Sequence, residues 1–234
     1  MITLDPDYAY ARALRCWAYT IACGGRFIST YDAKHVLPDA YAYALLDSGS
    51  GDATSVTYAA HTVTYLDQGA EIGVVAIRKA KSLNPNSVTV LCSSEWLHAY
   101  IGQFETALRD IERALRLNPL DPNTGFVRSA LGPILLGLGR VDEAVVMLEQ
   151  SYYEAPTYGS TLFSLLHCYW LAERFDDAKR MGKELLQINP SLTLRYSLET
   201  TPFKDPAYLL VVQRRLAELR HPRRLDFLRR ELLA

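Results

Sequence analysis

Four prolines set a beat along this chain. Pro85, Pro119, Pro156 and Pro190 are separated by 34, 37 and 34 residues. Three of them follow Asn, in Leu83-Asn84-Pro85, Leu117-Asn118-Pro119 and Ile188-Asn189-Pro190. Twelve residues before each proline stands a small residue: Gly73, Ala107, Ala144 and Ala178. Three of these small residues end similar phrases that open with Gly102, Gly139 and Glu173. A period near 34 residues with small residues at a fixed offset belongs to a stacked array of helix-turn-helix pairs. Proline stops the second helix of each pair, because it donates no amide and disfavours helix in the residue before it. The small residue sits where two helix backbones cross closely, and a larger side chain there holds them apart.

With the register fixed, the residues resemble the tetratricopeptide repeat (TPR) family. Leu131-Gly132 and Tyr169 match its first-helix pattern, and Ala107, Ala144 and Ala178 match the small residue of its second helix. The resemblance implies an all-α, right-handed superhelical array of about five repeats, over 7–52, 53–86, 87–120, 121–156 and 157–190. Residues 191–234 are then expected to cap the last repeat. First (A) helices are expected near 7–22, 53–67, 87–101, 123–137 and 159–172, the fourth kinked by Pro133. Second (B) helices are expected near 38–47, 70–82, 104–116, 141–153 and 175–187. Pro6 precedes Trp17 by the same eleven residues that separate Pro85 from Trp96, which carries the array to the start of the chain. About eleven surplus residues fall near 24–36, where Gly24-Gly25 breaks the first helix.

At 234 residues, 49% hydrophobic and 22% charged, the chain can bury a core without metal or disulfide support. The net charge of −1 gives no general attraction to nucleic acid or anionic membrane. Cys16, Cys23, Cys92 and Cys168 form no C-x-x-C pair and read as free thiols in a reducing compartment. The first seven residues lack a basic stretch followed by an apolar run, and no uncharged run is long enough to span a bilayer. The expectation is a cytoplasmic protein with no membrane span.

Catalytic signatures are missing. The glycines of 132–139 lack a following Lys-Ser or Lys-Thr and read as helix packing and a turn, not a phosphate cradle. His35, His61, His98, His167 and His221 show no metal-ligand spacing. His98 reads as a satisfied, partly buried imidazole, with Glu95 as its partner or as a solvated charge. No cofactor, no metal and no enzymatic activity are expected of this chain.

The segments Asn189 to Leu194 and Thr201 to Pro206, following divergent repeats, resemble the C-terminal half of bacterial class III adenylate/guanylate cyclases with repeat tails. That resemblance implies a regulatory domain of a cyclic-nucleotide signalling protein whose catalytic domain lies elsewhere. Similar tails occur on bacterial transcriptional regulators, which stand as the alternative, together with a nucleic-acid-binding adaptor. Residues 203–234 carry +4 against −5 for the rest. Their arginine pairs alternate with Leu at helical spacing, however, so a solvated helix face is preferred to phosphate tracking. By repeat register the inner face carries Tyr58, Tyr65, Trp96, Tyr100, Phe126, Phe163, His167 and Trp170. Of these, Tyr58, Trp96, Tyr100, Phe163, His167 and Trp170 are the candidate groove for a protein or peptide segment, with a homodimer as one use of it. Tyr65 and Phe126 are expected to pack between neighbouring A helices. The polar residues of a carboxylate clamp are replaced by Tyr58, Thr62, Cys92, Trp96, Ser129 and Pro133, which disfavours that mode.

Overall fold

A computed structural model describes residues 8–25, 27–44, 52–119, 124–190 and 202–204. Every regular element among them is helical. The A helices are α1 (Ala9–Gly24), α4 (Ala53–Asp67), α6 (Val88–Tyr100), the pair α8 (Thr124–Arg128) and α9 (Leu131–Gly137), and α11 (Gly159–Leu171). Their B partners are α3 (Leu37–Ala44), α5 (Ala70–Leu83), α7 (Phe104–Leu117), α10 (Val141–Glu154) and α12 (Phe175–Ile188). Each A helix packs on its own B helix, and α4, α6 and α11 pack also on the B helix before them. Helices α1, α4, α6, α9 and α11 touch in sequence along one side. Consecutive helix pairs therefore stack, with A helices inside and B helices outside.

Local signals set the helix starts. The Asp52 carboxylate accepts from the amides of Thr54 and Ser55, 2.9 Å each, and so caps α4. Ser87 does the same for α6 through the Val90 amide. The surplus residues after α1 form a short helix, α2 (Thr30–Ala33), and a 3₁₀ turn (Lys34–Val36) that leads into α3. Ser29 caps α2 by accepting from the Asp32 amide.

The small residues do what the register requires. Ala107 and Ala144 have no exposed surface. A Cβ built on Gly73 falls 1.8 Å from Thr64 Oγ1 and 3.1 Å from the Ala60 carbonyl oxygen. Gly132 lies against Leu148 and Gly137 against the Phe104 ring, with no room for a methyl group at either. The fourth A helix differs from expectation: it is broken, not kinked. Ser129 and Ala130 interrupt it four and three residues before Pro133. Pro133 has no amide to offer the Ser129 carbonyl, and its ring crowds that turn.

The A helices α4 and α6 are buried on nearly all sides, whereas α7 and α12 are exposed along one face. Composition explains the contrast. No charged residue occurs from Ala53 to Leu66, and Glu95 is the only acidic or basic residue in α6 other than His98. Helices α7 and α12 instead alternate charge with apolar residues at helical spacing. Of the expected cap at 191–234, only 202–204 lie within the described residues.

Candidate interaction surface

Aromatic side chains of α1, α4 and α6 meet in one continuous seam on the A-helix side. Trp17 of α1 stacks on Tyr58 of α4, 5.1 Å between centroids with planes 12° apart. Trp17 also stands over His61 at 5.0 Å, and His61 reaches the Tyr100 ring of α6 at 6.0 Å. Tyr65 and Tyr100 are 6.2 Å apart, and Trp96 and Tyr100 5.7 Å. Phe203 closes the seam, edge-on to Tyr100 at 5.1 Å. Offset and edge contacts of this kind match the charge distribution of aromatic rings.

Position along the seam separates the expected groove residues. Tyr58 is half-buried against Trp17 and Tyr10. Trp96 and Tyr100, candidate groove residues of which Trp96 fits packing between A helices equally well, are only 5% and 2% exposed. Tyr100 packs against His61, Tyr65 and Trp96, and against the Phe203 ring brought back from more than a hundred residues downstream. Tyr65 packs inside, as its register implied, at 9% exposure. The side chain of Phe126 lies outside the described residues. On α11, Phe163 and His167 pack together at 4.4 Å, and Trp170 meets Phe175 of α12 at 4.9 Å. Phe163 and Trp170 are half-buried, with His167 more enclosed. The Phe163 carbonyl accepts from His167 Nδ1 at 2.6 Å, which places the proton on that nitrogen.

Two polar groups lie against this seam. His61 is buried, and its Nδ1 has no hydrogen-bond partner. Burial lowers its pKa to about 3, so the ring is neutral. Glu95 is fully buried, and neither carboxyl oxygen has a hydrogen-bond partner. Burial, helped by the charge of Asp110, pushes its carboxyl well above the usual range. Glu95 is thus neither a partner of His98 nor a solvated charge. His98 is satisfied elsewhere: its Nδ1 donates to the Ser94 carbonyl at 2.7 Å, and Asp110 lies 3.8 Å away. Burial holds the His98 imidazole below the ordinary histidine range against both neighbours. The register points to both groups. His61 and Glu95 occupy the position at which the fourth repeat has Gly132, a glycine packed against Leu148. Trp17 was legible too, from its spacing after Pro6.

Asp110 on α7 ties three helices together. Both its oxygens accept from Lys81 of α5, at 2.6 and 2.8 Å, and one accepts from Ser94 of α6 at 2.7 Å. On the B-helix side, a cleft of about 860 Å³ is lined by Tyr152, Asp176, Lys179, Arg180, Lys183 and Glu184. Its charges are mixed, three basic side chains against two acidic. No cysteine among the described residues is in a disulfide, and Cys16, Cys23 and Cys168 are buried. Burial raises the Cys168 thiol to about 12. Among the described residues no group of three or more His, Cys, Asp and Glu is placed to hold a metal ion. No helix among them is long and apolar enough to cross a membrane.

The sequence matches no protein-family profile and no curated protein. Among solved structures, the chain aligns with PilF of Pseudomonas aeruginosa at a TM-score of 0.54. That alignment has 16% identity and covers 93% of this chain and 98% of the other. MamA structures align less closely, at 0.48 with 15% identity over 77% and 96%, and at 0.45 with 20% identity over 76% and 98%. At such identities the likeness shows the fold alone. That fold is an all-α array of TPR-like helix pairs.

Proposed function

We propose that this chain is a protein-interaction module that holds an apolar segment against the aromatic inner side of its A helices. The observation that carries the reading is Phe203, a ring from a distant part of the chain seated on Tyr100. The inner face thus accepts an added segment. Tyr58, Phe163 and Trp170 keep part of their rings uncovered, and His167 orders Phe163 beside them. Large, stiff aromatic side chains are the usual energetic anchors of such contacts.

The resemblance to repeat tails of class III cyclases supports a narrower form of the proposal. In it the chain is a cytoplasmic regulatory tail in cyclic-nucleotide signalling, and its partner is a second copy. Class III cyclases build their active sites between two catalytic domains, so a dimerising tail helps to assemble them. The coding sequence upstream tests this form. A nucleotide-cyclase domain there supports it, and a DNA-binding helix-turn-helix moves the chain to the transcriptional regulators.

Phe163→Ala combined with Trp170→Ala tests the surface itself. Both rings are half-buried, so the double variant should keep its helix content while losing self-association in sedimentation. Unchanged association removes the inner face from the proposal.

A further inference from the structure

The C-terminal ends of α4 and α6 meet where the Tyr65 and Tyr100 rings approach, and residues 202–204 cross them. Three different features hold this crossing. The carbonyls of a last helical turn have no partner within the helix. One of them, that of Tyr100, accepts from the Lys204 amide at 2.7 Å. The buried Phe203 ring stands at 89° to Tyr100. The Lys204 ammonium donates to Oε1 of Gln68, the left-handed residue (φ 56°) that ends α4. Both helix ends carry the negative pole of the helix dipole, so a cation is favoured there. Backbone, ring and charge are each read separately.

We infer that this ledge recognises an extended segment in which an aromatic residue precedes a lysine, and that residues 202–204 are its resting occupant. The inference rests on the inner-face reading above. A tethered occupant acts at an effective concentration on the order of millimolar. A partner segment of the same chemistry therefore binds only by displacing it, and the groove of the intact chain is guarded by its own sequence.

The test uses the full chain and a fluorescein-labelled hexapeptide that copies residues 201–206. Phe203→Ala should bind this peptide about tenfold more tightly than the unsubstituted chain, since the competing occupant is lost. A peptide with Ala at the aromatic place should not bind. Tryptic cleavage after Lys204 should also be about tenfold faster in Phe203→Ala, because protection follows the population of the seated state. Equal peptide affinity and equal cleavage in the two chains overturn the inference. If Phe203→Ala loses helix content, Lys204→Gln serves instead: it keeps the ring, and unchanged peptide binding in it overturns the proposal equally. The cleavage rate needs no outside partner. Failure here is therefore distinct from failure of the Phe163 and Trp170 variant to lose association.

Discussion

Glu95 stands one repeat beyond His61, at the same point of its A helix, and both side chains are buried with unpartnered polar atoms. In the next repeat that point is held by Gly132, against Leu148, and in the last by Leu166. Two adjacent repeats thus carry an ionisable residue where the two that follow carry an uncharged one. Burial disfavours the charged form of each, and that ties stability to pH.

The two groups act in opposite directions. The folded-state pKa of His61 is depressed from 6.5 to about 3. Between those values the unfolded chain binds a proton that the folded chain refuses, so stability falls as pH drops below 6.5. Glu95 is raised above 4.5. Above that value the unfolded chain releases a proton that the folded chain keeps, so stability falls as pH rises. Each limb is worth at most about 1.4 kcal/mol per pH unit. Relative to the unsubstituted chain, His61→Phe should flatten the acid limb and Glu95→Gln the alkaline one. Urea midpoints across this range check both. A Glu95→Gln profile parallel to the parent above pH 4.5 means that the carboxylate is ionised in the fold.

The helix pairs were legible because proline and small-residue spacing are local signals. The second A helix runs Ala53–Asp67, the range read from sequence, and the B helices end within a few residues of expectation. The break before Pro133 is the expected kink carried further, since that helix loses both a donor and space. Helix α2 and its 3₁₀ turn were not legible, because the inserted residues match no repeat. The packing of Phe203 on Tyr100 could not be read from the register, because Phe203 lies far away along the chain. Glu95 reads as a partner of His98 or a solvated charge, and only its alignment with the close-packed Gly132 points to an enclosed position.

Helix crossings should tolerate no added volume. Gly73→Ala brings a methyl against both the Thr64 side chain and the Ala60 backbone. Thr64 can rotate away, but the carbonyl of Ala60 cannot. Ala107→Leu, Ala144→Leu and Ala178→Leu, at the equivalent places, should each cost about 1–3 kcal/mol. Thr64→Ala should restore part of what Gly73→Ala loses. Urea midpoints unchanged in all four single variants would show that the register is misassigned.

The Asp110 node should be asymmetric. Asp110 is 7% exposed and serves both Lys81 and Ser94. Asp110→Ala removes the acceptor of the buried Ser94 hydroxyl, whose oxygen keeps its 3.0 Å contact with His98 Nδ1, and should cost about 2 kcal/mol. Lys81 is partly solvated, so Lys81→Ala should cost about 1 kcal/mol or less. Removing Asp110 should also lower the Glu95 carboxyl, since its charge is one of the two causes of the upward shift. A double-mutant cycle of Asp110→Ala with Glu95→Gln, run at two pH values, should therefore show coupling that grows with pH. Equal costs for Asp110→Ala and Lys81→Ala count against the node.

The turns after the last three A helices offer a gain in stability rather than a loss. Gly102 (φ 79°), Gly139 (φ 74°) and Glu173 (φ 59°) all end their helices in the left-handed region. In each, the next residue's amide returns to a carbonyl five residues back: Gln103 to His98, Arg140 to Leu135 and Arg174 to Tyr169. Two turns use glycine, which adopts this conformation freely; the third forces a glutamate into it. Left-handed backbone costs a residue with a Cβ about 1–2 kcal/mol. Glycine returns part of that gain through the freedom it has when unfolded. Glu173→Gly should thus stabilise by about 0.5–1 kcal/mol, and Gly139→Ala should destabilise by a similar amount. Nothing lies within 4 Å of a Cβ on Gly139, so backbone strain alone is being measured there. Thermal and urea midpoints that move the other way in Glu173→Gly would mean that the glutamate side chain holds the turn by a contact outweighing its strain.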